Sequence, residues 1–554
     1  MKAPEIHPIS VSEDLLSSLL DSIPHAEAFK GKWSLIRAKL TELQAQLTEF
    51  AEFPNSSSAN TLSLDLLHSI SHTLNDAVSL CGKCQTRDCL EGKLKTQSDI
   101  DSVLAKLDRH VKDGEILIRS GVLQDGGVPG SSSSSSKRET VRAESRNLIT
   151  RLQIGTADSK SSAMDSLLRL LEADDKNVMI AVAQGMVPVL VRLLDSSFME
   201  MKEKAVVAIS RISMVDSSKP VLMAEGLLLL NQLLRVLDSG SGFAKEQACV
   251  ALQALTFSKE NARAIGSRGG VSSLLEICQA GTPGSQAFAA GVLRNLSVFS
   301  EIRENFVEEN GVFVLLGLAS SGTVLAQENA IGCLCNLVSD DESLKLLFVK
   351  EGGVECLKNF WDSAPTIQSL EVAVDLLRHL ALCQPIAEVV VSDGFIARVL
   401  GVLNCGVLGV RVAAARAVYE LGFSTRTRKE IGECGGVGHL IKMLDGKAVE
   451  EKEAAAKALS ILMLYAGNRK VFKKDERGVV TAVQLLDPLV QNLDKKYPVS
   501  LLATLVHSKT CRKQMVAAGA CVFLQKLVEM DVEGSKKLLE SLGRGKILGV
   551  FSRP

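Results

Sequence analysis

Apolar positions along this chain recur at helical spacing, and the helical segments themselves recur. A glycine followed by a hydrophobic run returns at Gly185, Gly226, Gly270, Gly311, Gly353, Gly394, Gly436, Gly478 and, as a worn copy, Gly519. The gaps are 41, 44, 41, 42, 41, 42, 42 and 41 residues. A fixed period near 40 predicts a helical solenoid, in which each unit buries its apolar face only against its neighbours. In one copy, Ile302 to Asn310 is a short amphipathic segment. Gly311 stops it by supplying a conformation costly for a residue with a Cβ, and Val312 to Ala319 forms a second helix. After Ser320-Ser321-Gly322, the stretch Ala326 to Val338 carries Ala330, Ile331, Leu334 and Leu337 at the spacing of a half-buried helix.

The first 120 residues keep the helical period but lose the 42-residue beat. Val11 to Ile23, Trp33 to Phe50, Leu62 to Leu80 and Ile100 to Val111 read as longer amphipathic helices, broken at Pro24, at Pro54 through Ser58 and around Gly82. Helices of that length joined by short loops predict a bundle. Gly126-Gly127-Val128-Pro129-Gly130 and the serines from Ser131 to Ser136 have the composition of a flexible linker. The expected organisation is therefore a bundle over 1–125, a linker over 126–142 and a solenoid over 143–554. Lys137-Arg138-Glu139-Thr140 and Arg142-Ala143-Glu144-Ser145 place hydroxyls after basic residues, as phosphorylation sites would.

The order of short helix, glycine, Val-x-x-Leu-Leu helix and long helix resembles the armadillo repeat. The best copies are Gly269-Gly270-Val271, Gly352-Gly353-Val354 and Gly435-Gly436-Val437 for the turn. Ala289-Ala290-Gly291-Val292-Leu293-Arg294-Asn295-Leu296-Ser297 is the best third helix. This resemblance implies an all-α fold in which the bundle is followed by a right-handed armadillo α-solenoid of about nine repeats. It also implies a non-enzymatic scaffold or adaptor that holds proteins or extended peptide segments in a groove lined by the third helices. In the bundle, Gly92-Lys93-Leu94-Lys95-Thr96-Gln97-Ser98-Asp99-Ile100-Asp101 and Val103 to Asp108 resemble the helical domain of plant U-box and armadillo proteins, and of a related group lacking the U-box. No Cys-Pro-Ile core or Asp-Pro-Val segment sits between Val111 and Arg142. The resemblance thus also implies a ubiquitin-pathway adaptor, with ubiquitin-ligase components as partners, that lacks the module for recruiting a conjugating enzyme.

Composition agrees with closely stacked helices: aromatics are 4% of 554 residues, so Leu, Val, Ile and Ala must fill the core. The formal charge of −1 hides polarity. Residues 1–125 carry 13 Lys+Arg against 18 Asp+Glu, whereas residues 467–554 carry 16 against 8. That basic end, with Lys473-Lys474, Lys495-Lys496, Arg512-Lys513 and Lys536-Lys537, reads as solvated repeat surface, with adhesion to an anionic membrane as the alternative. Its charges are too dispersed, and too poor in aromatics, to specify nucleic acid. Thirteen cysteines, an odd number without a leader-like segment, suggest buried thiols in a reducing cytoplasmic or nuclear setting. No apolar run reaches the 18 residues of an integral span.

Candidate chemistry is sparse. His68, His72, Cys81, Cys84 and Cys89 fall within 22 residues, but a second Cys-x-x-Cys pair is missing and Leu80 continues an apolar face. Buried structural cysteines are expected there, with no metal or cofactor. Gly92-Lys93 lacks the glycine and hydroxyl of a phosphate loop. Nor does any Ser/His/Asp or Cys/His set appear at a recognisable spacing.

The register allows equivalent third-helix positions to be compared. In armadillo domains one such position carries an asparagine that holds a peptide backbone. Here the row reads Arg169, Arg211, Ala254, Asn295, Asn336, His379, Glu420, Ile461 and Thr504. One turn earlier, where importin-like proteins carry tryptophan, it reads Asp165, Val207, Val250, Gly291, Gly332, Asp375, Arg416, Lys457 and Ser500. The missing tryptophans exclude a receptor for nuclear-localisation signals. Asn295, Asn336, His379, Arg416 and Glu420, with Arg211 nearer the bundle, are the expected partner-binding residues, and Gly291 and Gly332 are expected to open the groove floor. The alternative is that the asparagines cap their own helices or bridge repeats and that the glycines permit helix packing.

Overall fold

The structure, a computed structural model, describes residues 8–53, 61–85, 92–123, 135–367 and 369–550. Among them every regular element is helical. The chain divides into two compact units, Met1–Leu255 and Thr256–Pro554.

The first unit opens with four helices, α1 (Pro8–Ser22), α2 (Lys30–Glu52), α3 (Thr61–Lys83) and α4 (Lys93–Arg119). α1 packs on α3, α2 on α4, and α3 on α4. Trp33, Ile36, Leu40, Leu43 and Leu47 form a fully buried stripe on α2, the three-and-four spacing of a helix with one apolar face. Ile70 and Leu74 of α3 and Ile100 and Leu107 of α4 face the same core. α2 and α4 approach at Gly114, where a Cβ would come 2.5 Å from Gln46 Oε1 while Gln46 Nε2 donates to the Val111 carbonyl at 2.8 Å. The breaks expected at Pro54 through Ser58 lie outside the described residues.

Cys81 and Cys84 are buried in this core, and burial pushes the Cys81 thiol up to about 11. His68 and His72 sit on the exposed side of α3, with His72 3.3 Å from Asp76. The cysteines are therefore apolar filling, and Cys89 lies outside the described residues. Across the described chain nine cysteines are buried, and the thiols of Cys249, Cys333 and Cys335 are pushed up to about 12 by desolvation.

The linker expected over 126–142 lies outside the described residues up to 134. From Ser135 it is helix: α5 (Ser135–Ile154), with Glu139 accepting from Arg142 at 2.9 Å one turn on. Ile154 at the end of α5 packs against the bundle core. A further helix, Ala157–Ala173, leads into three-helix sets, two complete in this unit and seven in the next.

The turn between the first two helices of each set separates two uses of glycine. Gly352 takes the left-handed conformation, φ +82°, that ends the first helix. The following Gly353 is already helical and is small because a Cβ there would strike the Phe348 ring. Asn310, at φ +53°, does the first task in its repeat, so Gly311 does not stop the preceding segment as its sequence suggests. Gly311 begins the second helix, where its lack of a Cβ spares Phe306. Two third helices begin under threonine caps: Thr282 accepts from the Ser285 amide and Thr323 from the Ala326 amide.

In the second unit the third helices are Pro283–Leu296, Val324–Val338, Leu370–Ala381, Leu408–Leu421, Val449–Leu462, Lys496–Leu505 and Ser535–Val550. Each packs on the next in an unbroken layer, whereas second helices meet far less. The third helices thus form one continuous layer through the second unit.

Candidate partner-binding face

The 42-residue period reappears as hydrogen bonds between residues one repeat apart, and three of the six expected groove residues, Arg211, Asn295 and Asn336, make them. Arg211 donates from Nε to the Leu171 carbonyl at 3.2 Å and from Nη2 to Asp175 at 2.5 Å, closing the end of the preceding third helix. Asn295 Nδ2 donates to Thr256 Oγ1 at 2.9 Å. Asn336 Nδ2 donates to the Arg294 carbonyl at 3.0 Å and to Ser297 Oγ at 3.1 Å. Asn329, absent from both sequence rows, donates to the Ala287 carbonyl at 3.0 Å from a buried position. These amide hydrogen bonds each run back by about one repeat.

Gly332 does not open the groove floor. A Cβ there would come 2.5 Å from Arg294 Nε, because the Arg294 side chain of the preceding repeat lies across it. The glycine makes room for a neighbour within the array. His379 is half-buried, with Nε2 2.9 Å from Arg378 Nη2, and burial, then Arg378, pull its pKa below the ordinary histidine value. In turn Arg378 Nε lies 3.3 Å from Asp375. The polar side chains of the middle repeats are thus largely consumed within the protein.

The face changes character beyond Leu408. Arg416 is exposed and has no hydrogen-bond or ion-pair partner among the described residues. One turn on, Tyr419 and Tyr497 meet edge to face, ring centroids 6.3 Å apart at 73°. Lys457 Nζ lies 4.3 Å from the Tyr419 centroid and 5.6 Å from that of Tyr497, and also 3.7 Å from Glu420. Lys496 Nζ sits 4.9 Å from the Tyr497 centroid. Two of the chain's three tyrosines therefore wall one spot on a protein poor in aromatics.

Beside them opens a cleft of about 470 Å³, lined from four consecutive third helices by Tyr419, Ser460, Tyr497, Ser500 and Lys537, with His507 at its rim. The side chains of Lys537 and His507 have no hydrogen-bond or ion-pair partner among the described residues, unlike those of the asparagines. The sequence rows touched this site at Arg416, Lys457, Glu420 and Ser500. They missed the tyrosines, one and three residues off those rows. The available signal was the placing of two scarce aromatics on third helices two repeats apart.

Residues 174–214 match the armadillo/beta-catenin-like repeat. Residues 10–122, which hold the four-helix bundle, match a domain of unknown function, DUF7032. No curated protein matches the chain. Among solved structures, the crystal structure of an engineered protein aligns over 72% of this chain and 99% of its own length at 24% identity, with a TM-score of 0.63. That likeness concerns fold, and it agrees with an all-α repeat architecture. No single helix among the described residues is long and apolar enough to cross a membrane.

The basic run near the C-terminal end also looks different in three dimensions. Lys495 is 8% exposed and donates to the carbonyls of Leu485 at 3.1 Å and Val490 at 2.9 Å, tying down the irregular loop before Lys496–Leu505. Burial lowers its pKa from the ordinary lysine value. It is a structural cation, not part of a solvated surface.

Proposed function

We propose that this protein is a binding scaffold that holds an extended segment of a partner protein against the third-helix face of its last armadillo repeats. The observation that carries this reading is the aromatic and cationic cleft between Tyr419 and Lys537. Two tyrosines offer flat apolar walls at small entropic cost, a residue type favoured in recognition surfaces. Lys496, Lys537 and Arg416 surround them against Glu533 and the Lys457-paired Glu420. The chemistry suits a segment with an apolar side chain next to a carboxylate. A ladder of third helices is also long enough to spread contacts along such a segment.

A photo-crosslinking side chain at Ser500, inside the cleft, compared with one at Phe313, exposed on a second helix, tests this directly. The reading expects a discrete protein adduct at Ser500 that Tyr497→Ala removes. Equal capture at both positions would sink it.

A further inference from the structure

The first helices of the last repeats carry charge that the tyrosine cleft does not use. Thr425–Glu433, Ala466–Phe472 and Lys509–Ala517 together hold eight Lys and Arg against two Glu. The three first helices before them, Arg303–Glu308, Glu342–Lys350 and Gln384–Ser392, hold three against four.

Each of these helices is anchored by one fully buried apolar side chain, in order Phe306, Phe348, Val390, Ile431, Phe472 and Met515. Three residues before the anchor, the last repeats carry Arg428, Arg469 and Arg512. Each arginine donates to the carbonyl of the residue just past the preceding third helix. Arg428 Nε reaches Gly422 at 2.7 Å, Arg469 Nη1 reaches Met463 at 2.8 Å and Arg512 Nε reaches Val506 at 3.1 Å. These cations are thus spent on closing helices.

The residue after each arginine is a lysine, and Lys429, Lys470 and Lys513 are all exposed. Glu304, Leu346 and Glu388 hold the same position in the three repeats before. Lys429 Nζ lies 3.8 Å from Glu433. The side chains of Lys470 and Lys513, and of the neighbouring exposed Lys473 and Lys509, have no hydrogen-bond or ion-pair partner among the described residues.

The third helices Leu408–Leu421, Val449–Leu462 and Lys496–Leu505 stack in order, and Thr425–Glu433 packs on Ala466–Phe472. Lys429, Lys470 and Lys513 therefore form a row whose step is that of packed helices, about 8–10 Å. A segment in polyproline-II conformation brings every third side chain back to the same side after about 9 Å. Carboxylates at every third residue match the row. An anionic bilayer matches it less well, because Glu433 and Glu476 stand exposed among the lysines and would press against the same plane. For nucleic acid the three helices offer no exposed aromatic on which a base could stack.

We propose that the first helices of the last three repeats bind an extended acidic segment of a partner protein, its carboxylates spaced by about three residues and seated on Lys429, Lys470 and Lys513. This surface is built from first helices, whereas the tyrosine cleft is built from third helices, so the two bind independently.

The test titrates the full chain into a fluorescein-labelled peptide of six Glu-Pro-Pro units and reads anisotropy. A peptide of the same composition with its six glutamates consecutive serves as comparison. The spaced peptide is expected to half-saturate about tenfold below the clustered one. Lys429→Glu, Lys470→Glu and Lys513→Glu together are expected to raise its half-saturation tenfold or more. Lys442→Glu, Lys447→Glu and Lys526→Glu together make the same change of net charge at exposed positions outside the first helices, and should move it less than twofold. Tyr497→Ala should leave it unchanged. A glutamine set at the three row positions stands as the test if charge reversal unfolds the chain. Absent binding, equal affinity for the two peptides, or an equal loss in the control set would overturn the proposal. So would a loss caused by Tyr497→Ala, or phosphatidylserine vesicles that bind through the row while the spaced peptide does not.

Discussion

The middle repeats and the last repeats share one layer of third helices, yet they spend their side chains differently. Around Asn295 and Asn336 the polar groups reach backward by one period and bond to the preceding repeat. Around Tyr419 and Tyr497 they gather about an open cleft in which Lys537 and His507 keep their hydrogen-bonding capacity. A residue type that grips a peptide in one solenoid can serve as mortar in another. What decides is whether the neighbouring repeat already supplies the partner.

That comparison can be broken most severely at the tyrosines. Tyr497→Ala is expected to abolish crosslinking from Ser500, an effect of tenfold or more by the usual cost of a buried aromatic anchor, about 2 kcal/mol. Circular dichroism and melting should change little, since Tyr497 is only partly buried. Gly332→Val should do the reverse. Its branched side chain must displace Arg294, costing about 1–3 kcal/mol as overpacking does, while capture at Ser500 is retained.

Asn336→Ala removes two inter-repeat hydrogen bonds and should cost about 1–2 kcal/mol, read as a melting temperature lowered by about 2–4 °C, again with capture intact. Loss of capture with unchanged melting would return the asparagines to the binding face. The smallest effect concerns Glu301, whose carboxyl is held at about 2 by hydrogen bonds from Lys259, its own backbone amide and Arg263. A depressed folded pKa contributes stability that is present above the ordinary value of 4.5 and lost as pH falls through about 2. Glu301→Gln should therefore flatten the acid limb of the melting curve in that window, without touching the cleft.

Much of the architecture was legible because helix, turn and period are local properties. Leu40, Leu43 and Leu47 declare a buried face by spacing alone, and a recurrent glycine marks the turn between helices. The position of the left-handed residue was legible only to within one place: paired glycines look alike in sequence, and only the Phe348 ring beneath Gly353 distinguishes the one that turns from the one that merely fits. The binding face was harder to read because side chains reach between repeats. Gly332 reads as empty floor until Arg294 is seen crossing it, and Lys495 reads as surface charge until two loop carbonyls are found around it. Tyr419 and Tyr497 are 78 positions apart and become neighbours only when three third helices stack.

The central claim is that the last repeats hold a partner and the asparagine-bearing middle repeats hold themselves. Crosslinking the full chain at Ser500 and, in a parallel sample, at Asp375 in the middle of the same face, then comparing adducts by mass spectrometry, tests it most directly. The account predicts a discrete adduct at Ser500 that disappears with Tyr497→Ala, and none at Asp375. An adduct at Asp375 that disappears with Asn336→Ala, with nothing at Ser500, would contradict it.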